Sequence, residues 1–172
     1  MKKVLVAIAA IALAVSAQAA AFKWSATAIT PDPDGGAVTT YTAYLIDASV
    51  VSYANAQAAI ADGDISFIAG SAILDSAATI AGGSNARINR TGGATTEGTS
   101  YTTYFVVLND AANPTQALIS KATATGVGQA MTDTAFTFGS QAGATWVAVP
   151  EPTSGLLMLV GLGALALRRR RA

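Results

Sequence analysis

The sequence predicts an all-β, sandwich-like domain with one short helix, set between an N-terminal signal helix and a C-terminal transmembrane helix. Three observations predict it. Residues 20–148 consist of short stretches rich in Thr, Tyr and β-branched residues, separated by turns of Gly, Pro, Asp and Asn. One stretch alone, residues 49–61, changes to helical spacing. Both ends of the chain are apolar runs flanked by basic residues.

The elements follow in order. Met1-Lys2-Lys3 is a positive leader, residues 4–15 are apolar, and residues 16–21 are small. This is the layout of a secretory signal peptide, with Ala17 and Ala19 forming the A-x-A site and signal peptidase as the expected partner. The predicted boundaries are 1–19 for the signal, 20–148 for the β-rich domain and 149–172 for the tail. Phe22, Trp24, Ala26 and Ala28 alternate with other residues and share one strand face. Pro31-Asp32-Pro33-Asp34-Gly35-Gly36 is a turn, and residues 38–47 form a strong strand. In 49–61, Ser49 is the expected cap, with Val50, Tyr53, Ala54, Ala58 and Ala61 on one face and Gly63 as the stop.

Residues 65–69 read as a brief strand, and 71–80 as strand or helix. Residues 81–100, with many Gly, Ser, Thr and Asn, read as a long loop or irregular hairpin. The second strong strand is 101–109, central because Phe105-Val106-Val107-Leu108 is continuously apolar. Strands at 117–125, 135–138 and 145–149 complete the domain. Thr39-Thr40-Tyr41, Leu45 and Asp47-Ala48 recur 63 residues later as Thr102-Thr103-Tyr104, Leu108 and Asp110-Ala111, an echo consistent with chance or with equivalent strands in two halves.

Composition narrows the function. The whole chain is formally neutral, but Lys2, Lys3 and Arg168 to Arg171 supply six of its ten cations. Between residues 20 and 149 four basic residues (Lys23, Arg87, Arg90 and Lys121) face nine acidic ones, a net of −5. That balance speaks against nucleic acid or anionic lipid as partner. The chain has no cysteine and no histidine. Disulfides and every nucleophile activated by histidine are thereby excluded.

The remaining chemistry rests on carboxylates and aromatic rings. Asp32 with Asp34, and Asp62 with Asp64, offer calcium two carboxylates each, where it wants six to eight oxygens. They read better as solvated turn residues, and no metal or other cofactor is expected. A glycosidase needs two opposed carboxylates. Asp47 and Asp110, ending the two strong strands, are the candidates for that role, with strand-end residues the plainer reading. Trp24, Trp146 and the tyrosines suit core packing better than a sugar platform. No catalytic residue is assigned.

The tail is the most informative stretch. Pro150 and Pro152 flank Glu151 and forbid helix, giving extended, polyproline-like backbone. Residues 155–167 carry no charge. As a helix these 13 residues would be roughly 20 Å long against a hydrocarbon core of about 30 Å, a marginal span. Arg168, Arg169, Arg170 and Arg171 then form a cytoplasmic stop, which sets aside a buried core helix. Gly161-Leu162-Gly163-Ala164-Leu165-Ala166 fits a dinucleotide fingerprint by accident, since no βαβ unit or acidic residue can follow it.

In order and position, these three parts resemble the PEP-CTERM sorting signal of Gram-negative bacteria. The resemblance covers about 24 of 172 residues. It implies processing by an exosortase, a multi-spanning membrane enzyme, with Pro150, Glu151 and Pro152 as substrate residues. It further implies a transient inner-membrane stage through the C-terminal helix. Delivery to the cell surface, outer envelope or exterior would follow, in an exopolysaccharide setting. The expected role is a non-enzymatic surface or matrix protein. The alternatives are a small carbohydrate-active enzyme or a carbohydrate-binding module.

Overall fold

The structure, a computed structural model, describes residues 20–33, 41–78, 80–82 and 85–149. Along the chain run β1 (Phe22–Ile29), β2 (Thr42–Asp47), α1 (Tyr53–Ala61), β3 (Ile73–Ala78), β4 (Ile80–Gly82) and β5 (Asn85–Gly92). Then follow β6 (Ser100–Leu108), β7 (Gln116–Ile119), β8 (Ala124–Val127), β9 (Thr134–Ser140) and β10 (Trp146–Ala148). One sheet has the order β4-β5-β1-β9. The other has β10-β7-β6-β2-β3, with β8 also paired to β6. The β1–β9 pair is parallel, and β1 and β5 are antiparallel. The fold is therefore mostly β with one short helix, as the sequence predicts. The expected signal and transmembrane helices lie outside the described residues. Among the described residues no helix is long and apolar enough to cross a membrane.

Alternation in β1 buries Phe22, Trp24 and Ala26 against the facing sheet. Ala28, expected on that face, is displaced from it. It adopts φ of 56°, the register shifts between Ala26 and Ile29, and Ile29 takes the buried place. The extra residue of a β-bulge reverses which face the next side chain meets.

Strand β6 shows why an unbroken apolar run is a central strand. Phe105 and Val107 enter the core between the sheets, while Tyr104, Val106 and Leu108 enter a second core. That second core lies under α1, so β6 is buried on both faces. In α1, Ser52 rather than Ser49 caps the helix, accepting from Asn55 N–H at 3.3 Å. Ser49 instead donates its N–H to Asp47 Oδ1 in the turn before. The helix buries Ala56 and Ile60, four apart, not the expected face of Ala54, Ala58 and Ala61. Gly63, at φ 75°, ends the turn that follows.

Residues 65–69 are a turn rather than a strand. Ile65, Phe67 and Ile68 fold over the second core. The glycine-rich stretch is more ordered than expected, since β4 and β5 form a hairpin and β5 pairs along β1. The single strand expected at 117–125 divides into β7 and β8. Ser120 turns the chain there, with Oγ donating to Ala122 O and accepting from Phe105 N–H. The echoing strands β2 and β6 lie side by side, antiparallel, in one sheet, with Leu45 opposite Phe105. They are not the separated halves of a sandwich.

Two of the stitches that join the sheets run through tryptophans. Trp24 Nε1 donates to Asp75 Oδ2 at 2.8 Å, and Arg90 Nε reaches the same oxygen at 3.3 Å. Asp75 lies on edge strand β3, and its partners lie on β1 and β5 of the other sheet. Gly92 is needed beside them, because a Cβ there would sit 2.8 Å from Asp75 Oδ1. The second stitch is Trp146, whose Nε1 donates to Thr30 O at 2.9 Å and whose ring packs on Tyr41 at 5.1 Å.

Tyr104 is fully buried and donates its hydroxyl to Val51 O. Burial, and secondarily the Asp47 charge, push its pKa up to about 12. A tyrosine whose folded value exceeds its unfolded value of 10.0 stabilises the fold fully below pH 10, and this contribution is lost as pH rises toward 12. Absorbance at 295 nm is expected to show Tyr104 ionising only near pH 12 or together with unfolding. Tyr104→Phe should remove that late step.

Candidate functional site

The carboxylates were the sequence's candidates for chemistry, and the fold spends them on its own backbone. Asp32 is buried, with its N–H donating to Tyr41 Oη at 2.6 Å and its Oδ2 accepting from that hydroxyl at 3.1 Å. Burial raises the Tyr41 pKa. Asp34 lies outside the described residues. Asp62 stands at the C-cap of α1. Asp64 Oδ1 accepts from Ser66 N–H at 2.8 Å, and this bond holds its carboxyl below the ordinary value. Among the described residues no group of three or more His, Cys, Asp or Glu could hold a metal ion.

Asp47 and Asp110 do not form a pair. Asp47 lies opposite Thr103, while Asp110 follows the other end of β6, seven residues further on. At about 3.4 Å per residue the separation is on the order of 20 Å, well beyond the roughly 5–9.5 Å of a glycosidase pair. Asp47 accepts from Ser49 N–H, and Asp110 Oδ1 from the N–H groups of Ala112 and Asn113. Trp24 is fully buried, and Trp146 is half-buried against Tyr41, as core packing requires.

A shallow groove of about 380 Å³ lies between α1, β7 and the loop into β10, lined among others by Tyr53, Gln57, Lys121 and Thr145. Two of its polar heads are already engaged. Tyr53 Oη donates to Ser120 O at 2.5 Å, and Lys121 Nζ to Ala142 O at 3.0 Å.

The two ends of the described domain carry more information. At the start, Ala20 is buried, and its carbonyl accepts from Thr95 N–H at 2.7 Å and Thr95 Oγ1 at 2.9 Å. Ala21 donates to Asp133 Oδ1 and accepts from Thr134 N–H. Ala20 and Ala21, the two residues after the expected cleavage position Ala19, are thus tied into the fold. A cut there spares all four bonds, whereas a cut after Ala21 would remove them.

At the other end, β10 is a short strand that among the described residues pairs with β7 alone, with Val147 opposite Ala117 and Ala148 opposite Gln116. Val149 is buried in the second core, and its N–H donates to Thr115 O at 2.8 Å. Three side chains anchor this strand: Trp146, Val147 and Val149. At about 1.5–3 kcal/mol for a fully buried apolar side chain, less for the half-buried pair, detaching it costs on the order of 5 kcal/mol. Fewer than about one molecule in a thousand would then have it open. Pro150 follows immediately, with no spacer.

The arrangement is that of a β domain whose last described strand, β10, is followed in the sequence by Val149 and then Pro150-Glu151-Pro152. Comparison with known proteins agrees at the same place: the family model of the PEP-CTERM protein-sorting motif matches residues 148–171. The tail therefore carries a sorting motif of the kind handled by exosortase-type enzymes, which implies export and sorting to the cell envelope. No curated protein and no solved structure matches the chain. Pro150, Glu151, Pro152, Ala17, Ala19 and Arg168 to Arg171 all lie outside the described residues. The strand expected at 145–149 is found as β10, and the matched motif begins at its last residue, Ala148. What sequence reasoning missed is the partner of Val149, whose N–H donates to Thr115 O.

Proposed function

We propose that residues 20–149 are a non-enzymatic cargo domain, exported behind a signal peptide cut after Ala19. Exosortase-type processing of the tail then delivers it to the cell envelope or its exopolysaccharide matrix. One observation carries this reading: Ala148, the last residue of β10, and Val149, buried and bonded to Thr115 O, both fall within the matched sorting motif. The folded domain is what the motif delivers.

The cargo role draws support from the carboxylates. Asp32, Asp47, Asp64, Asp75, Asp110 and Asp133 each accept a hydrogen bond that shapes the fold. The hydrogen bonds of Ala20 and Ala21, which a cut after Ala19 leaves intact, support the cleavage position. The test is expression of the full chain in a bacterium that has an exosortase and in the same strain lacking it. The expected result is tail loss and surface delivery in the first strain only. An identical product in both strains would sink the reading.

A further inference from the structure

We propose that removal of the signal peptide completes the fold: the new ammonium group of Ala20 forms an ion pair with Asp133 and fastens β1 to β9 as the uncut chain cannot. The proposal rests on the cleavage position read above, after Ala19, and adds to it a site that receives the product of the cut.

That site is already built around Ala20. The residue is buried, at 7% exposure, and its carbonyl accepts from Thr95 N–H at 2.7 Å and from Thr95 Oγ1 at 2.9 Å. A chain terminus ordinarily frays, and an ion pair there must first offset the entropy of ordering it. Thr95 has fixed this one. Next along the chain, Ala21 N–H donates to Asp133 Oδ1 at 3.1 Å, and Ala21 O accepts from Thr134 N–H at 2.9 Å. Backbone bond lengths put successive nitrogens no more than about 3.7 Å apart. The Ala20 nitrogen therefore lies within about 7 Å of Asp133 Oδ1. The Asp133 side chain is exposed, so its second oxygen is free to turn toward that nitrogen.

The cut changes the chemistry at the Ala20 nitrogen. Hydrolysis breaks the C–N bond to Ala19, the hydroxyl of water goes to the Ala19 carbonyl carbon, and its proton goes to the nitrogen. The amine then takes a further proton from solvent at neutral pH. Before the cut the nitrogen is a neutral amide with one N–H in a fixed direction. Afterwards it is a cation with three N–H groups fanned about the Cα–N bond, attracted to the carboxylate beside it. The position matters for the sheet. β1 and β9 pair in parallel, the slightly weaker arrangement, and their first rung is Phe22 opposite Thr134. Ala20 and Asp133 close the ladder just before that rung, where it would otherwise begin to open.

Other charges around Ala20 do not replace Asp133. Among the described residues, the neighbouring elements carry Lys23 on β1, Arg90 on β5, Glu97 after Thr95, and Tyr101 on β6. Arg90 pairs with Asp75, and Tyr101 Oη accepts from Thr96 N–H. Lys23 and Glu97 are exposed, act with opposite signs and are screened by salt.

The test uses the protein recovered after export, with its N-terminus read by mass. Its α-amine is acetylated at pH 6.5, where it reacts ahead of the lysine amines. Thermal midpoints are compared with and without acetylation, in the wild-type chain and in Asp133→Asn. Asparagine keeps an acceptor for Ala21 N–H and removes only the charge. Acetylation is expected to lower the wild-type midpoint by about 2–4 °C at pH 6 and to leave that of Asp133→Asn unmoved. An amine whose folded pKa is raised by its partner stabilises fully below its ordinary value of about 8, and this is lost as pH rises through the folded value. The gap between the two wild-type forms should therefore close by about pH 10. No gap at pH 6, or an equal gap in Asp133→Asn, would overturn the proposal and leave the cleavage position standing. A recovered chain that begins anywhere but Ala20 would overturn both.

Discussion

A chain with Pro150→Ala and Glu151→Ala is expected to keep its tail. Proline at 150 and 152 restricts φ to near −65° and lacks a backbone donor, which favours extended backbone around Glu151. Alanine at 150 and 151 removes one of the two prolines and the carboxylate between them, while Pro152 stays. The enzyme then loses a rigid ring and the acidic side chain together. Two recognition side chains at about 1–2 kcal/mol each correspond to a fall in processing rate of roughly 100-fold. Mass spectrometry of the recovered protein reads the result. The same truncated C-terminus in the variant would refute the sorting role of these residues. Because both substitutions lie beyond Val149, the thermal midpoint of the domain should not move.

The largest effect on stability is expected from Asp75→Ala. It leaves Trp24 Nε1–H, on a fully buried ring, without an acceptor, and frees the half-exposed Arg90 from the edge of the sandwich. A stranded buried donor costs about 1–3 kcal/mol, and the ion pair across the sheets adds to it. A total of about 2–4 kcal/mol should lower the melting temperature by roughly 8–14 °C for a domain of this size. Asp75→Asn keeps an acceptor for the indole and should cost less. Equal losses in the two variants would mean that the charge, not the indole bond, holds the sheets together.

Much of this fold was legible in the sequence, for identifiable reasons. β1 could be read from alternation, and β6 from an apolar run that only a strand buried on both faces sustains. The tail could be read residue by residue because its motif is contiguous in sequence, and the family match at 148–171 agrees with it. What escaped depends on partners distant in sequence. β5, with Asn85, Asn89 and Gly92, has poor strand propensity and exists because β1 pairs along it. The reversal at Ala28 comes from a bulge, and Ser52 displaced Ser49 as cap because Asp47 claims the earlier amide. Asp75 meets Trp24 across 51 residues, a contact no local pattern announces. At the candidate site the motif and the strand leading into it were visible, but the partners of Val149 were not, since Thr115 and the core under α1 are distant in sequence.

The central claim is that a folded cargo domain is bounded by two processing sites with no spare chain at either end. Intact-mass and terminal-peptide analysis of the protein recovered from an exosortase-containing host tests it most directly. The account predicts a chain that begins at Ala20, still contains Val149 and lacks the apolar run and the arginines. A chain beginning at Met1, one retaining Arg168 to Arg171, or one ending before Val149 would contradict it.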